Sequence, residues 1–406
     1  MDNIELNQEK SDLKIKKTSK SKLWLILLSF GSLSLVVAAV LFILTITKPK
    51  EQLAALDFPV LPTPKTLEGK IYSTLTGLEI SDIAENTMPV FCVQTPNGLD
   101  GARPQVGVNE AKVVFEAIAE AGITRFAVIY QNPQSAIIGP VRSLRSYYLQ
   151  WDSPFDCTIT HAGGAADALQ AVQRGGYKDL TENYTYMYRG TIGSRRWNNL
   201  FTTSNYLKKF ASDHNYNTSS PTGFLRLTPE QANNNRINTQ ATNKLNILSA
   251  TTKSTLETLP SVKSVTFRFG YNNNFNPTFT YNSTTNSYDR FYNSSEAHEV
   301  YNCPGEDLGE KNPESVCELK QLSPTVVIAM TVQESLAGDH YHEKILATGS
   351  GPVRIYQNGT VTTGTWKKEA VYDQIKFYDE SGQEIALVPG QTWISAIPQY
   401  GSIEEN

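Results

Sequence analysis

NEAKVVFEAIAEAGITRFAVIYQ, residues 109–131, decides how the fold is read. Its second half, ITRFAVIY (Ile123 to Tyr130), is a nearly continuous apolar run of strand-forming residues, the composition of a strand buried on both faces. In its first half Ala111, Val114, Phe115, Ile118 and Ala119 recur at helical spacing. Asn109 stands where a helix cap belongs and Gly122 where a helix ends, so this half predicts an amphipathic helix.

The same alternation extends outward. Upstream, MPVFCVQT (Met88 to Thr95) is a short β-rich run followed by the turn-rich PNGLDGARPQ. Downstream, AIIGPV is expected to return beside Ile123–Tyr130. Leu144–Trp151 then reads as a helix, FDCTIT (Phe155 to Thr160) as a buried strand and Ala165–Arg174 as another helix. Strands alternating with helices imply an α/β sheet. From Tyr177 to Thr258 the text turns Asn- and Thr-rich, with helices expected at Asn205–Ala211 and from near Thr228. After Val262, β-type runs recur (SVTFRF, TFTY, YDRFY, TVVIAM, VRIYQ, TVTTGTW, YDQIKFY, EIALV, TWISAI), with N-G and S-G turn signals between several of them. The expected architecture is an α/β N-terminal domain over residues 71–258 and a mainly β C-terminal domain over 259–400, preceded by one transmembrane helix.

That helix sets the compartment. Leu23 to Ile46 is a run of 24 residues without a charge, longer than the roughly 30 Å hydrocarbon core requires at 1.5 Å per residue. Lys14, Lys16, Lys17, Lys20 and Lys22 precede it and only Lys48 and Lys50 follow closely, which puts residues 1–22 in the cytoplasm and the rest outside. The run is too long for a cleaved signal peptide, and no cysteine near it could carry a lipid, since the first is Cys92. The lysines serve as an orientation signal or as an anionic-lipid contact. Residues 47–70, with Pro59, Pro62 and Pro64, read as an extended stalk.

With 36 Lys and Arg against 40 Asp and Glu, the 406-residue chain carries −4. Residues 1–22 account for +2 of their own, leaving an acidic ectodomain unsuited to nucleic acid. The four cysteines lie on the outer side, where disulfides persist. Cys303 and Cys317 enclose a polar, proline-containing loop, and a bridge closing it would contribute about 3 kcal/mol. Cys92 and Cys157 sit in apolar runs, as packed thiols or as a second bridge.

No P-loop, zincin or nucleophile-elbow motif is present, and no cofactor is implied. A basic constellation remains. Arg125 interrupts a buried-looking strand, where an unpaired charge is costly: it either pairs with Glu116 or Glu120 or holds an anion. Arg142 and Arg145 share one face if GPVRSLRS opens a helix, as solvated residues or as bidentate ligands of a phosphate or pyrophosphate. His161 follows the strand FDCTIT, and Gly163 and Gly164 open the next helix. The position suits a general acid or anion donor as well as a hydrogen-bonded turn residue. Asp339-His340-Tyr341-His342 alternates two histidines but offers no third metal ligand, so no metal is expected. Trp366 and Trp393 read as core.

In their order, ARPQVGVNEAKVVFEAIAEAGITRFAVIYQ, IGPVRSLRSYY, HAGG, GSGPVRIYQNGT, GTWKK and LVPGQTWISAIP resemble the YerB-like lipoprotein family, a domain of unknown function, from about Tyr72 to Pro398. The resemblance implies an extracytoplasmic two-part protein, α/β and then β-rich, with no settled activity. This chain departs from the family in its protein anchor, in the Cys303–Cys317 segment, and in Ala297-His298-Glu299-Val300, where the family has Pro-His-x-Asp. ITRFAVIYQNPQSAIIGPVRS and HAGGAADALQAV are also similar to the LytR-CpsA-Psr wall-polymer phosphotransferases, whose arginines hold a polyprenyl pyrophosphate. The aspartates that hold magnesium beside those arginines are replaced here by Phe126 and Ser143. The expected protein is a membrane-anchored envelope protein whose partners are the bilayer, through Leu23–Ile46, and a wall polymer, a pyrophosphate lipid or an envelope protein. The alternative is a phosphotransferase or hydrolase acting on polyprenyl-pyrophosphate-linked wall polymer through Arg125, Arg142, Arg145 and His161.

Overall fold

The strand expected at Ile123 is β3 (Ile123–Gln131), and it follows β1 (Val90–Pro96) and β2 (Val113–Glu120). The computed structural model describes residues 69–190, 198–236, 261–270, 272–293, 295–305 and 316–406. The predicted tail (1–22), span (23–46) and most of the stalk, and the division at 258/259, lie outside these residues. Among the described residues no helix is long and apolar enough to cross a membrane.

The fold is mainly β, which corrects the first half of the deciding stretch: Val113–Glu120 is a strand, not a helix. It pairs with β3 in antiparallel register from Val113–Ile129 to Glu120–Ile123. Ala121 and Gly122 turn between them with φ of +48° and +73°, the mirror-image turn that suits hairpin twist. Glycine stands there for the hairpin turn rather than to end a helix. The helical periodicity was accidental because nearly every residue of β2 is buried, and a strand buried on both faces shows no alternation to contradict it.

After β3 come α1 (Ser146–Asp152), β4 (Thr158–His161), α2 (Ala166–Gln173), β5 (Lys178–Thr181) and α3 (Ser204–Asp213). Downstream lie β6 (Ser264–Arg268), β7 (Thr278–Asn282), β8 (Ser287–Tyr292), β9 (Glu296–Ala297), β10 (Val326–Val332), β11 (Glu334–Leu336) and β12 (Glu343–Ile345). The series ends with β13 (Gly349–Gln357), β14 (Thr360–Lys368), β15 (Lys376–Asp379), β16 (Thr392–Pro398) and β17 (Ser402–Glu405). The expected strand EIALV is absent; Glu384 and Leu387 make only isolated bridges.

Ten strands form one mixed sheet in the order β15-β14-β13-β10-β16-β2-β3-β1-β4-β5. Strands from both expected domains therefore share it, and β16 lies parallel to both neighbours, β10 and β2. A five-stranded sheet, β9-β8-β7-β6-β17, covers one face. Alternate residues of β1 serve opposite cores. Phe91 and Val93 pack with Phe267, Phe279 and Trp393 toward the second sheet, while Val90 and Cys92 pack with Tyr147, Tyr148, Trp151 and Phe377 on the other face. Trp366 and Trp393 are both buried. Cys303 is bonded to Cys317, and Cys92 to Cys157, so the pair left open by sequence is a second bridge.

Candidate functional site

Arg125 lies on β3 between Ala117 of β2 and Pro96 of β1, only 3% exposed. Its guanidinium donates to Glu120 Oε1 (2.6 Å) and to the Ser143 carbonyl (2.8 Å). Arg145 reaches the other oxygen of the same carboxylate and donates to the Leu144 carbonyl at 3.0 Å. One glutamate is thus clamped by two buried arginines. Burial pushes its carboxyl up, but Arg125 and then Arg145 outweigh that and hold it below the usual range. Burial, reinforced by Arg145, lowers Arg125.

The helical placement of the arginine pair needs correcting. Helix α1 starts at Ser146, and Arg145 precedes it in extended backbone (φ −124°, ψ 149°). Arg142 and Arg145 therefore share no helix face. Arg142 is half-buried, and its Nε lies buried with no hydrogen-bond partner among the described residues.

The chain does bring the arginine loop to the glycine loop. Ala162 N donates to the Arg142 carbonyl, Leu144 N to Gly163 and Ala165 N to Leu144, each at 3.0 Å. Gly164 permits this approach, since a Cβ there would stand 3.1 Å from the Leu144 carbonyl. Gly163 turns with φ +66°. His161, 1% exposed, has Nδ1 2.7 Å from the Gly163 carbonyl and Nε2 2.8 Å from Asp179 Oδ1. Both neighbours accept, so each ring nitrogen is committed and the histidine fastens the glycine loop to β5. In the β11–β12 turn, His342 Nδ1 contacts Asp339 Oδ2 at 2.6 Å.

A second buried network escaped the sequence reading. Glu116, wholly buried on β2, accepts from both sequence halves: Arg290 Nη2 donates to both its oxygens (2.9 and 3.0 Å), Trp393 Nε1 at 2.9 Å and Thr124 Oγ1 at 3.1 Å. His298 contacts Arg290 and Gln105 Oε1. Burial, then Arg290 and Arg103, push its pKa well down and keep it neutral. The altered family stretch therefore serves the core.

Two clefts open elsewhere, of about 400 and 360 Å³, and Tyr372 lines both. Its ring stacks on Tyr177, with centroids 6.2 Å apart and planes 28° from parallel. Burial, and then Tyr372, push the Tyr177 hydroxyl up to about 12. Neither tyrosine carried a sequence signal: Tyr372 is exposed and Tyr177 half-buried, and tyrosines so placed in polar text are commonplace.

Residues 75–217 match the N-terminal domain, and 265–394 the C-terminal domain, of a family described as "Protein of unknown function (DUF3048)". The chain belongs to the DUF3048 family. A curated relative, named "Putative lipoprotein YerB", from Bacillus subtilis (strain 168), is 25% identical over 332 residues, 81% of this chain and 87% of its own. The crystal structure of YerB protein from Bacillus subtilis superposes with a TM-score of 0.64 at 22% identity, covering 82% of this chain and all of that one, and so shares the fold. These comparisons do not show the fainter LytR-CpsA-Psr likeness, and Arg125, one of its two arginines, is bound to Glu120.

Proposed function

We propose that this protein is a membrane-tethered, extracytoplasmic binding protein of the bacterial envelope that engages a wall component or an envelope partner without transforming it. The observation that carries this reading is Glu120. A pyrophosphate would need Arg125 and Arg145, and an internal carboxylate already occupies both. His161 has no ring nitrogen left for proton transfer to a substrate. Two disulfides suit an oxidising exterior, and the lysine-flanked run Leu23–Ile46 supplies the tether. The test is co-sedimentation of the detergent-solubilised full-length chain with purified wall sacculi, beside protease shaving of intact cells. Retention on sacculi and loss of the folded body to external protease are expected. A body sheltered from protease would overturn the outward topology.

A second reading, phosphotransfer or hydrolysis on a polyprenyl-pyrophosphate-linked polymer, has one observation in its favour: Arg142 Nε is buried and unpartnered among the described residues. It requires that Arg142→Ala abolish pyrophosphate-lipid binding by the purified protein. Equal binding by that variant would remove it.

A further inference from the structure

We propose that the two clefts flanking Tyr372 form one groove that binds a neutral oligosaccharide, with sugar rings stacked on the Tyr177–Tyr372 pair. This deepens the wall-binding reading above and rests on it. The groove lies at a seam. Tyr177 directly precedes β5 and Tyr372 lies in the loop before β15, and these strands are the opposite edges of the ten-stranded sheet. Their rings meet because the sheet wraps a shared core in which Phe224 contacts both Phe155 and Phe377. Residues distant in sequence thus form one surface, the kind of junction where ligand sites gather.

The lining chemistry selects the ligand class. The first cleft carries Lys367 and Lys376 against Glu369 and Asp373. The second carries Lys178 against Asp156, already paired at 2.9 Å. Each cleft is therefore balanced in charge and gives a polyanion no net attraction. Both donors and acceptors line the clefts beside an aromatic ring, which suits a ligand with many hydroxyls and one flat C–H surface. Tyr372 is 61% exposed, so its ring is available. Each cleft falls within the roughly 300–1,000 Å³ usual for small-molecule sites, and Tyr372 lines both, so the groove offers two subsites that share its ring.

The walls are also fixed before any ligand arrives, which lowers the ordering cost of binding. Lys368 Nζ donates to the Val371 carbonyl (2.8 Å) and Gln374 Nε2 to the Thr222 carbonyl (2.5 Å), holding the Tyr372 loop at both ends. Lys178 Nζ donates to the Asp156 and Thr218 carbonyls at 3.1 and 2.9 Å. The Cys92–Cys157 bridge anchors the second cleft, which Cys157 lines.

The test is calorimetric titration of the full-length protein in detergent with a β-1,4-linked N-acetylglucosamine tetramer, and with inorganic pyrophosphate as the anionic comparison. Wild type should bind the tetramer and not pyrophosphate. Tyr372→Ala should weaken tetramer binding about tenfold and Tyr372→Phe should retain it, since the ring face is what stacks. Tyr372 is exposed, so both variants should fold, which circular dichroism checks. No tetramer binding, equal binding by Tyr372→Ala, or pyrophosphate displacing the tetramer would each overturn the groove. If sacculi still retain Tyr372→Ala as well as wild type, the groove falls and wall binding stands. If wild type binds neither sacculi nor tetramer, both fall.

Discussion

Replacing Glu116 by Gln changes one atom of a fully buried side chain and should cost the protein about 3–5 kcal/mol. Arg290, 1% exposed, would keep its charge and lose its carboxylate. The new amide N–H₂ would also face donors, since all three groups around Glu116 donate to it. Against a typical total of about 5–15 kcal/mol, that is a large share of the stability. Urea unfolding of the full-length chain in mild detergent, followed by tryptophan fluorescence, is the assay, and Trp393 is itself a reporter in the network. A loss below about 1 kcal/mol would refute the claim that this carboxylate neutralises a desolvated arginine. The double variant Glu116→Gln/Arg290→Met should recover part of the loss, because removing both charges leaves none uncompensated.

Glu120→Gln should destabilise by about 3 kcal/mol, again by leaving buried arginines without their anion, whereas Arg142→Ala should stay within about 0.5 kcal/mol; thermal melts of the two variants separate them. Glu334, 6% exposed, has its carboxyl raised to about 7 by burial, against the Tyr400 hydroxyl and helped by Glu343. The folded state therefore holds a proton that the unfolded chain releases near 4.5. This contribution, at most about 3 kcal/mol, is fully present below pH 4.5 and lost as pH rises through 7, so Glu334→Gln should flatten the urea midpoint between pH 5 and 8. Opening Cys92–Cys157, 65 residues apart, should cost about 4 kcal/mol, against about 3 for Cys303–Cys317, 14 apart, as read from unfolding of the paired Cys→Ala variants.

What sequence reveals here follows the range of each interaction. Ile123–Tyr130 was legible as a strand because its composition admits little else. The neighbouring VVFEAIAE was not, since its alanines and glutamates favour a helix and only pairing with β3 and β16 overrides that preference. The partner of Arg125 was legible as one of two nearby carboxylates. Glu116 went instead to Arg290, 174 residues on, and no local pattern announces that pairing. The approach of Gly163 and Gly164 to the arginine loop rests on backbone hydrogen bonds that no local pattern announces, and whether the ring nitrogens of His161 were free depended on Asp179, one strand away. Tyr177 and Tyr372 meet from opposite edges of the large sheet, a juxtaposition that no single segment encodes.

Strand β16 occupies the middle of the large sheet although it is made after nearly everything around it. Synthesis delivers residues 90–181 long before residue 392, so until then β2 and β10 each present a bare, apolar, hydrogen-bonding edge. A chain cut short at residue 390 would keep both family segments nearly whole and still lack the slat that joins them. Such a fragment should be cleared or aggregate rather than persist as a half-working protein, and the gene should tolerate late stop codons no better than early ones.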